Sequence, residues 1–226
     1  MNIKKIANNT LQFIIYRLIE IIGIFISLIG ILLLIALVSY SPSDPNFIFP
    51  QNTQIKNILG FQGSYISDLF FQSIGMISYL ISITLLLTGI NIFSSKDLFL
   101  IIENIFFSIF YCIFGTLFFN FFYQNTFELY INGNGGFVGQ YLSQTFLQNI
   151  LNLQISVSYF MLLFLIIGFF LISINFSPGV FWNFIKKVFN YINRNKNKPY
   201  TDKSEIISEY IPQEEIKNLI QEDLPF

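Results

Sequence analysis

The chain has 226 residues, of which 54% are hydrophobic and only 11% charged, and its net charge is −1. A soluble domain carries about a quarter charged residues, so the composition excludes an ordinary soluble globule, and the lack of a basic surplus argues against nucleic-acid binding by this stretch. A single cysteine, Cys112, and no histidine exclude an intrachain disulfide, a cysteine-based metal site and the commonest general base.

The first 17 residues are basic and loosely amphipathic. Ile3, Ile6, Ala7, Leu11, Ile14 and Ile15 fall near one helical face, with Lys4, Lys5, Asn8 and Asn9 opposite. That pattern fits either a short interfacial helix or a disordered basic tail. Residues 18–38 then form a nearly unbroken apolar run, with Glu20 at its start and no charge beyond it. At about 1.5 Å per residue this run matches a hydrocarbon core of about 30 Å. It is longer than a signal-peptide core and no A-x-A-like site follows, so it reads as a retained membrane helix. The run Ser39-Tyr40-Ser41-Pro42-Ser43-Asp44-Pro45 ends it sharply, because the prolines remove amide donors while Ser and Asp supply turn and cap chemistry.

A polar loop follows to about residue 64, and residues 66–93 form the second apolar span, with Asp68 near its start. An acid there reads as an interfacial residue in preference to a buried ionisable site. Ser94-Ser95-Lys96-Asp97 is short enough to make the second and third spans antiparallel neighbours. The third span, 98–122, is dense in phenylalanine and carries Glu103 one turn inside its start, with the same two readings. Residues 123–153 read as a loop with a flexible turn, Asn132-Gly133-Asn134-Gly135-Gly136. After it, Phe137, Val138, Tyr141, Leu142, Thr145, Phe146 and Ile150 recur at helical spacing, which predicts one short helix lying on or dipping into the membrane surface. The fourth span is 155–174, broken by Ser177-Pro178-Gly179. Beyond it, apolar positions around Trp182, with Lys186 and Lys187 reaching toward headgroups, predict an interfacial anchor helix. The tail from 193 onward is polar, with a short helix expected at 213–220.

Nine basic residues (Lys4, Lys5, Arg17, Lys96, Lys186, Lys187, Arg194, Lys196 and Lys198) would share one side of the membrane, against Lys56 alone in the two long loops. The positive-inside rule therefore predicts both termini in the cytoplasm. The expected fold is an all-α integral membrane protein with four transmembrane helices and short interfacial helices. Its expected parts are a cytoplasmic basic segment (1–17), a four-helix transmembrane domain (18–176), an interfacial amphipathic helix (177–192) and the start of a cytoplasmic linker (193–226).

No motif for catalysis is legible. There is no nucleotide-binding Gly-x-x-x-x-Gly-Lys-Ser/Thr run, no H-E-x-x-H, and no pair of intramembrane acids that could share a proton. No cofactor is implied, and an enzyme active site is disfavoured. Small residues such as Gly23, Ser27 and Gly30, or Gly75, Ser78 and Ser82, would let helices approach closely. The spans read as smooth and aliphatic, with few polar residues near their centres. That weighs against the alternative of a stand-alone four-helix channel or transporter.

The run from Ala36 through Ser39, Tyr40, Ser41, Pro42 and Asp44 to Pro45 resembles the end of the first membrane helix in FtsK-type DNA translocases of the FtsK/SpoIIIE family. The resemblance continues through Asn57, Gly60, Gly63, Asp68 and Gly75, where the family reads Asn-x-x-Gly-x-x-Gly-Ala-x-x-Ala-Asp. It ends with Gly135, Gly136 and Gly139, similar to a family Gly-Gly-x-x-Gly before the fourth helix. Ser64 and Ser67 stand where alanines are usual, and Asn152-Leu153-Gln154-Ile155 replaces a glycine-rich step. The resemblance implies a four-helix anchor in the bacterial inner membrane at the division septum. It implies contacts with the lipid bilayer and with other division proteins. In complete members a linker and a hexameric ATP-driven DNA motor follow, acting in chromosome segregation, but no motor motif lies in these residues. Within this pattern Asp68 becomes a structural position, capping the second helix.

Overall fold

A computed structural model describes residues 3–45, 54–124 and 132–196. It is all-helical among those residues: α1 (Ile3–Val38), α2 (Gly60–Ile74), α3 (Ser78–Ser95), α4 (Phe99–Phe122), α5 (Gly136–Ser143), α6 (Phe146–Leu153), α7 (Ile155–Ser173) and α8 (Pro178–Lys196). Among the described residues four stretches are long and apolar enough to cross a bilayer: Asn9–Val38, Gly60–Ser95, Phe99–Phe122 and Ile155–Ser173. The spans expected at 18–38 and 66–93 fall inside the first two, and those at 98–122 and 155–174 coincide with the last two to within one residue. The residues beyond 196, including the expected helix at 213–220, lie outside the described residues.

Helix α1 runs without a break for 36 residues, about 54 Å at 1.5 Å per residue, so it outreaches a hydrocarbon core of about 30 Å. The expected short helix and first span are thus one continuous rod. Its charged pair, Arg17 and Glu20, is joined at 2.5 Å, and Glu20 also pairs with the Lys96 ammonium in the α3–α4 turn.

Helix α1 packs antiparallel against α3 through small residues. A Cβ on Gly30 would lie 2.5 Å from the Leu86 amide nitrogen, and one on Gly23 would lie 2.8 Å from the Gly89 carbonyl oxygen. In lipid, apolar burial gives helices little reason to associate, so such close backbone approach supplies the dispersion contact instead. Helix α4 packs in turn against α7 through an aromatic ladder, with the Phe110 and Phe169 rings stacked at 5.1 Å. Two buried clusters mark these pairings: Leu33, Leu37 and Phe71 on the α1 side, and Phe118, Leu151 and Leu162 on the α4–α7 side. Elsewhere the bundle shows large apolar side chains to its surroundings, Phe160 and Phe164 on α7 among them, as a protein surrounded by hydrocarbon does.

Two predicted elements are broken. The span expected at 66–93 divides at Gly75, which has φ +63° and starts a 3₁₀ turn, Gly75–Ile77, between α2 and α3. The single surface helix expected after the glycines is two, α5 and α6. Thr145 separates them, being extended (ψ −179°) and capping α6 by accepting from the Leu147 amide.

Helix α8 belongs to a second compact unit. Pro178 occupies its first position, where a missing amide proton costs nothing. Trp182, Ile185 and Phe189 are exposed on it, and the Lys186 ammonium sits 5.9 Å from the Trp182 ring centroid, a cation–π distance. Lys187 is exposed as well.

Candidate functional site

The last four carbonyls of a helix have no partner within it, and in a membrane protein water is a scarce substitute. The residues after α1 answer this need at one end of the bundle. Ser39 donates through both its amide (3.0 Å) and its hydroxyl (2.7 Å) to the Ile35 carbonyl. Asn57 donates its side-chain amide to the Ala36 carbonyl at 2.9 Å. The Leu37 carbonyl accepts from the Tyr40 amide and the Tyr79 hydroxyl, both at 3.3 Å.

The Asn57 segment is itself held by Asp44, whose carboxylate accepts from the Lys56 amide at 3.0 Å and the Asn57 amide at 2.8 Å. Asp44 is buried, and a buried carboxylate is tolerable where charge-assisted hydrogen bonds replace its hydration. Ser39 also accepts from the Ile58 amide, and Asn57 accepts from the Leu59 amide. Gly60 takes φ +68° to begin α2, and Gly63 lies against the Asn57 side chain, where a Cβ would collide. Ser41 and Ser43 bond each other at 2.9 Å, in the turn that Pro42 and Pro45 stiffen.

A second half of the cap comes from the glycine segment. Asp68 accepts from the Tyr40 hydroxyl at 3.0 Å and lies one turn from Gln72. Gln72 in turn accepts from the amide and the side chain of Asn132, at 3.3 and 3.2 Å. The Asn134 carbonyl accepts from the Met76 amide at 2.9 Å, and the Asn134 side chain donates to the Tyr123 carbonyl. Gly136 has φ +63°, and a Cβ there would lie 2.7 Å from the Gly75 amide nitrogen. A Cβ on Gly135 or Gly139 would lie 2.5 Å from the Thr116 carbonyl of α4. Thus the polar run after α1, the start of α2 and the glycine segment meet in one continuous cap. It includes every position that carried the family resemblance.

One expectation needs correction. Asp68 does not cap α2: it is the ninth residue of the Gly60–Ile74 helix, and its bond to Tyr40 ties α2 to the end of α1. The two serines that depart from the family's alanines are also engaged. Ser64 donates to the Pro45 carbonyl at 3.0 Å and Ser67 to the Ser64 carbonyl at 3.1 Å.

Polar bonds cross the interior of a bundle whose spans read as smooth in sequence. Thr84 on α3 is 3.0 Å from the Tyr111 hydroxyl on α4. Asn104 donates to Thr88 at 2.8 Å and accepts from Asn175 at 3.0 Å, and Asn91 donates to the Ile174 carbonyl at 3.0 Å. These bonds finish α7. Asn175 takes φ +51°, while the Asn175 and Phe176 amides return to the Ile172 and Leu171 carbonyls at 2.9 and 3.0 Å, a Schellman cap with asparagine in the usual glycine place. The signal available in sequence was the asparagine itself, a costly residue in an apolar run unless it has a partner.

Neither polar set arranges acids, bases or nucleophiles for chemistry. Asp44 and Asp68 accept from amides and a tyrosine, and no group of three histidine, cysteine or acidic residues converges among the described residues. The cap is an organising structure for helix ends.

A family profile, the 4TM region of DNA translocase FtsK/SpoIIIE, matches residues 16–186. The chain belongs to this family. Related FtsK proteins share parts of this FtsK region: "DNA translocase FtsK" of Azospirillum brasilense is 30% identical over 82 residues, 35% of this chain and 13% of the relative. The protein of the same description from Rickettsia bellii is 31% identical over 74 residues, 33% of this chain and 10% of the relative. That from Caulobacter vibrioides is 31% identical over 75 residues, 33% of this chain and 9% of the relative. The FtsK-family region matched here is thus a small fraction of those relatives' length, and no motor domain is matched. No solved structure matches the chain.

Proposed function

We propose that this region anchors an FtsK-type DNA translocase in the bacterial inner membrane at the division septum, tethering a cytoplasmic ATP-driven DNA motor that serves chromosome segregation. The observation that carries the reading is the match of residues 16–186 to the family's membrane region, with relatives described as DNA translocases. The basic residues concentrate at the amino terminus, Lys96 and the segment after α7, which favours a topology with both termini cytoplasmic and the polar cap outside. Helix α8 then lies at the cytoplasmic interface as an anchor through Trp182, Lys186 and Lys187, and the chain beyond it begins the linker. DNA and ATP are handled by the motor, and this region contacts lipid and other division proteins. Oligomers, hexamers in the family, form through the motor.

The reading is tested by exchange. A chimera carrying residues 1–226 of this chain in front of the linker and motor of a related translocase is expected to support division in cells lacking their own membrane region. Filamentous growth despite normal membrane insertion would refute it. The channel alternative gains no support from the interior asparagines and threonines, because their polar groups are taken up by partners within the chain.

A further inference from the structure

Helices α1 and α3 form one tight pair and α4 and α7 the other, and between them runs a slot of about 490 Å³. Isoleucines 101, 105, 109 and 113 of α4 form one wall, and Ile81 and Leu85 of α3 the other. Ile74 and Val138 line its end beneath the polar cap and Ile101 its end toward Lys96, while Ile105 and Ile109 on its wall are half-exposed, so the slot is open along its side. Its polar lining groups are already engaged: Thr84 with Tyr111, Thr88 with Asn104, and Ser108 with the Asn104 carbonyl. Apart from the weakly polar Cys112 thiol, an occupant therefore meets hydrocarbon.

The slot's width decides between occupants. From Ile101 to Ile113 is about 18 Å along α4, so 490 Å³ gives a mean cross-section of about 27 Å². A helix about 10 Å across needs about 80 Å². A single hydrocarbon chain, with carbons in contact at about 4 Å, needs roughly 20 Å². We propose that this slot holds one acyl chain of a membrane phospholipid, entering from the side that Ile105 and Ile109 leave half-exposed and wedged between the two helix pairs. The inference rests on the membrane reading of the fold and is independent of the septal role.

The test uses the full chain in phospholipid nanodiscs containing a small fraction of phosphatidylcholine with a diazirine on one acyl chain. After irradiation, labelled peptides are mapped by mass spectrometry. Labelling concentrated between Ile105 and Ile113 is expected, at least about fivefold above that at Phe160 and Phe164, which face the bilayer on α7. The double variant Ile105→Trp with Ile109→Trp fills the slot from two half-exposed positions and is expected to abolish that excess while keeping helix content and melting midpoint. Equal labelling of the slot and of α7 would mean ordinary bilayer solvation and overturn the proposal. So would an unlabelled slot with chain-to-chain cross-links through Cys112, which lines it, because a second copy would then be the occupant. Should the double variant fail to fold, the wild-type labelling pattern alone still decides.

Discussion

Asn57 offers the sharpest test of how the cap works. Its side chain donates to the Ala36 carbonyl at 2.9 Å and accepts from the Leu59 amide at 3.0 Å, and both Asn57 and Ala36 are buried. Replacing it by alanine strands the Ala36 carbonyl, a loss of about 1–3 kcal/mol, and removes an ordinary bond to Leu59 of about 1 kcal/mol. The sum, about 2–4 kcal/mol, corresponds to a fall of roughly 4–16 °C in the unfolding midpoint for a chain of this size. Asn57→Asp is nearly isosteric and keeps the acceptor for Leu59, but it points a second acceptor at the Ala36 carbonyl. It should therefore be at least as destabilising as alanine. Ile58→Ala, at a neighbouring position that is 75% exposed, should change stability by less than about 0.5 kcal/mol. The assay is thermal unfolding in mild detergent followed by far-UV circular dichroism. An Asn57→Asp variant as stable as the wild type would refute the donor role.

Three further outcomes follow from the same geometry. Gly136→Ala should cost at least about 2 kcal/mol, since it meets both a positive φ and the Gly75 amide, whereas Gly60→Ala, with φ +68° but open space around it, should cost only about 1 kcal/mol; the two melting midpoints compare them. Asn104→Leu removes the donor to Thr88 and the acceptor for Asn175 and should lower stability by about 0.6–2 kcal/mol, read in the same melts. Glu20→Gln weakens the links to Arg17 and Lys96. With both pairs weakened, it should lower the midpoint by no more than about 4–8 °C at low salt, and the difference should shrink in 1 M salt.

Some of this architecture is written locally and some is not. The four spans were legible because length and apolarity are properties of a single stretch, and the stop after Val38 because prolines and serines act on their own backbone. The cap's bonds were not, because Tyr40 and Asp68 stand 28 residues apart and Asn132 and Gln72 60. Gly75 read as a packing glycine within an apolar run. Its role in breaking the helix depends on the Asn134 carbonyl, brought in by the glycine segment to accept from the Met76 amide. The interior asparagines were equally hidden: Asn104 is acceptable in hydrocarbon only because Thr88 and Asn175 arrive from other parts of the chain. The split between α5 and α6 did leave a local trace, since Ser143-Gln144-Thr145 supplies the side chain that caps α6. The family resemblance marked the cap residues by position, and the geometry supplies a physical reason for many of them: Ser39 and Asn57 donate to helix-end carbonyls, and at Gly63, Gly75, Gly135, Gly136 and Gly139 the neighbouring atoms are too close for a Cβ.

The most direct measurement is the position of this region in dividing cells. Residues 1–226 fused at the carboxyl terminus to a fluorescent protein, expressed at low level in a rod-shaped bacterium, should form a sharp band at the septum as constriction begins. Even fluorescence around the whole membrane, from a fusion that is inserted and intact, would contradict the account.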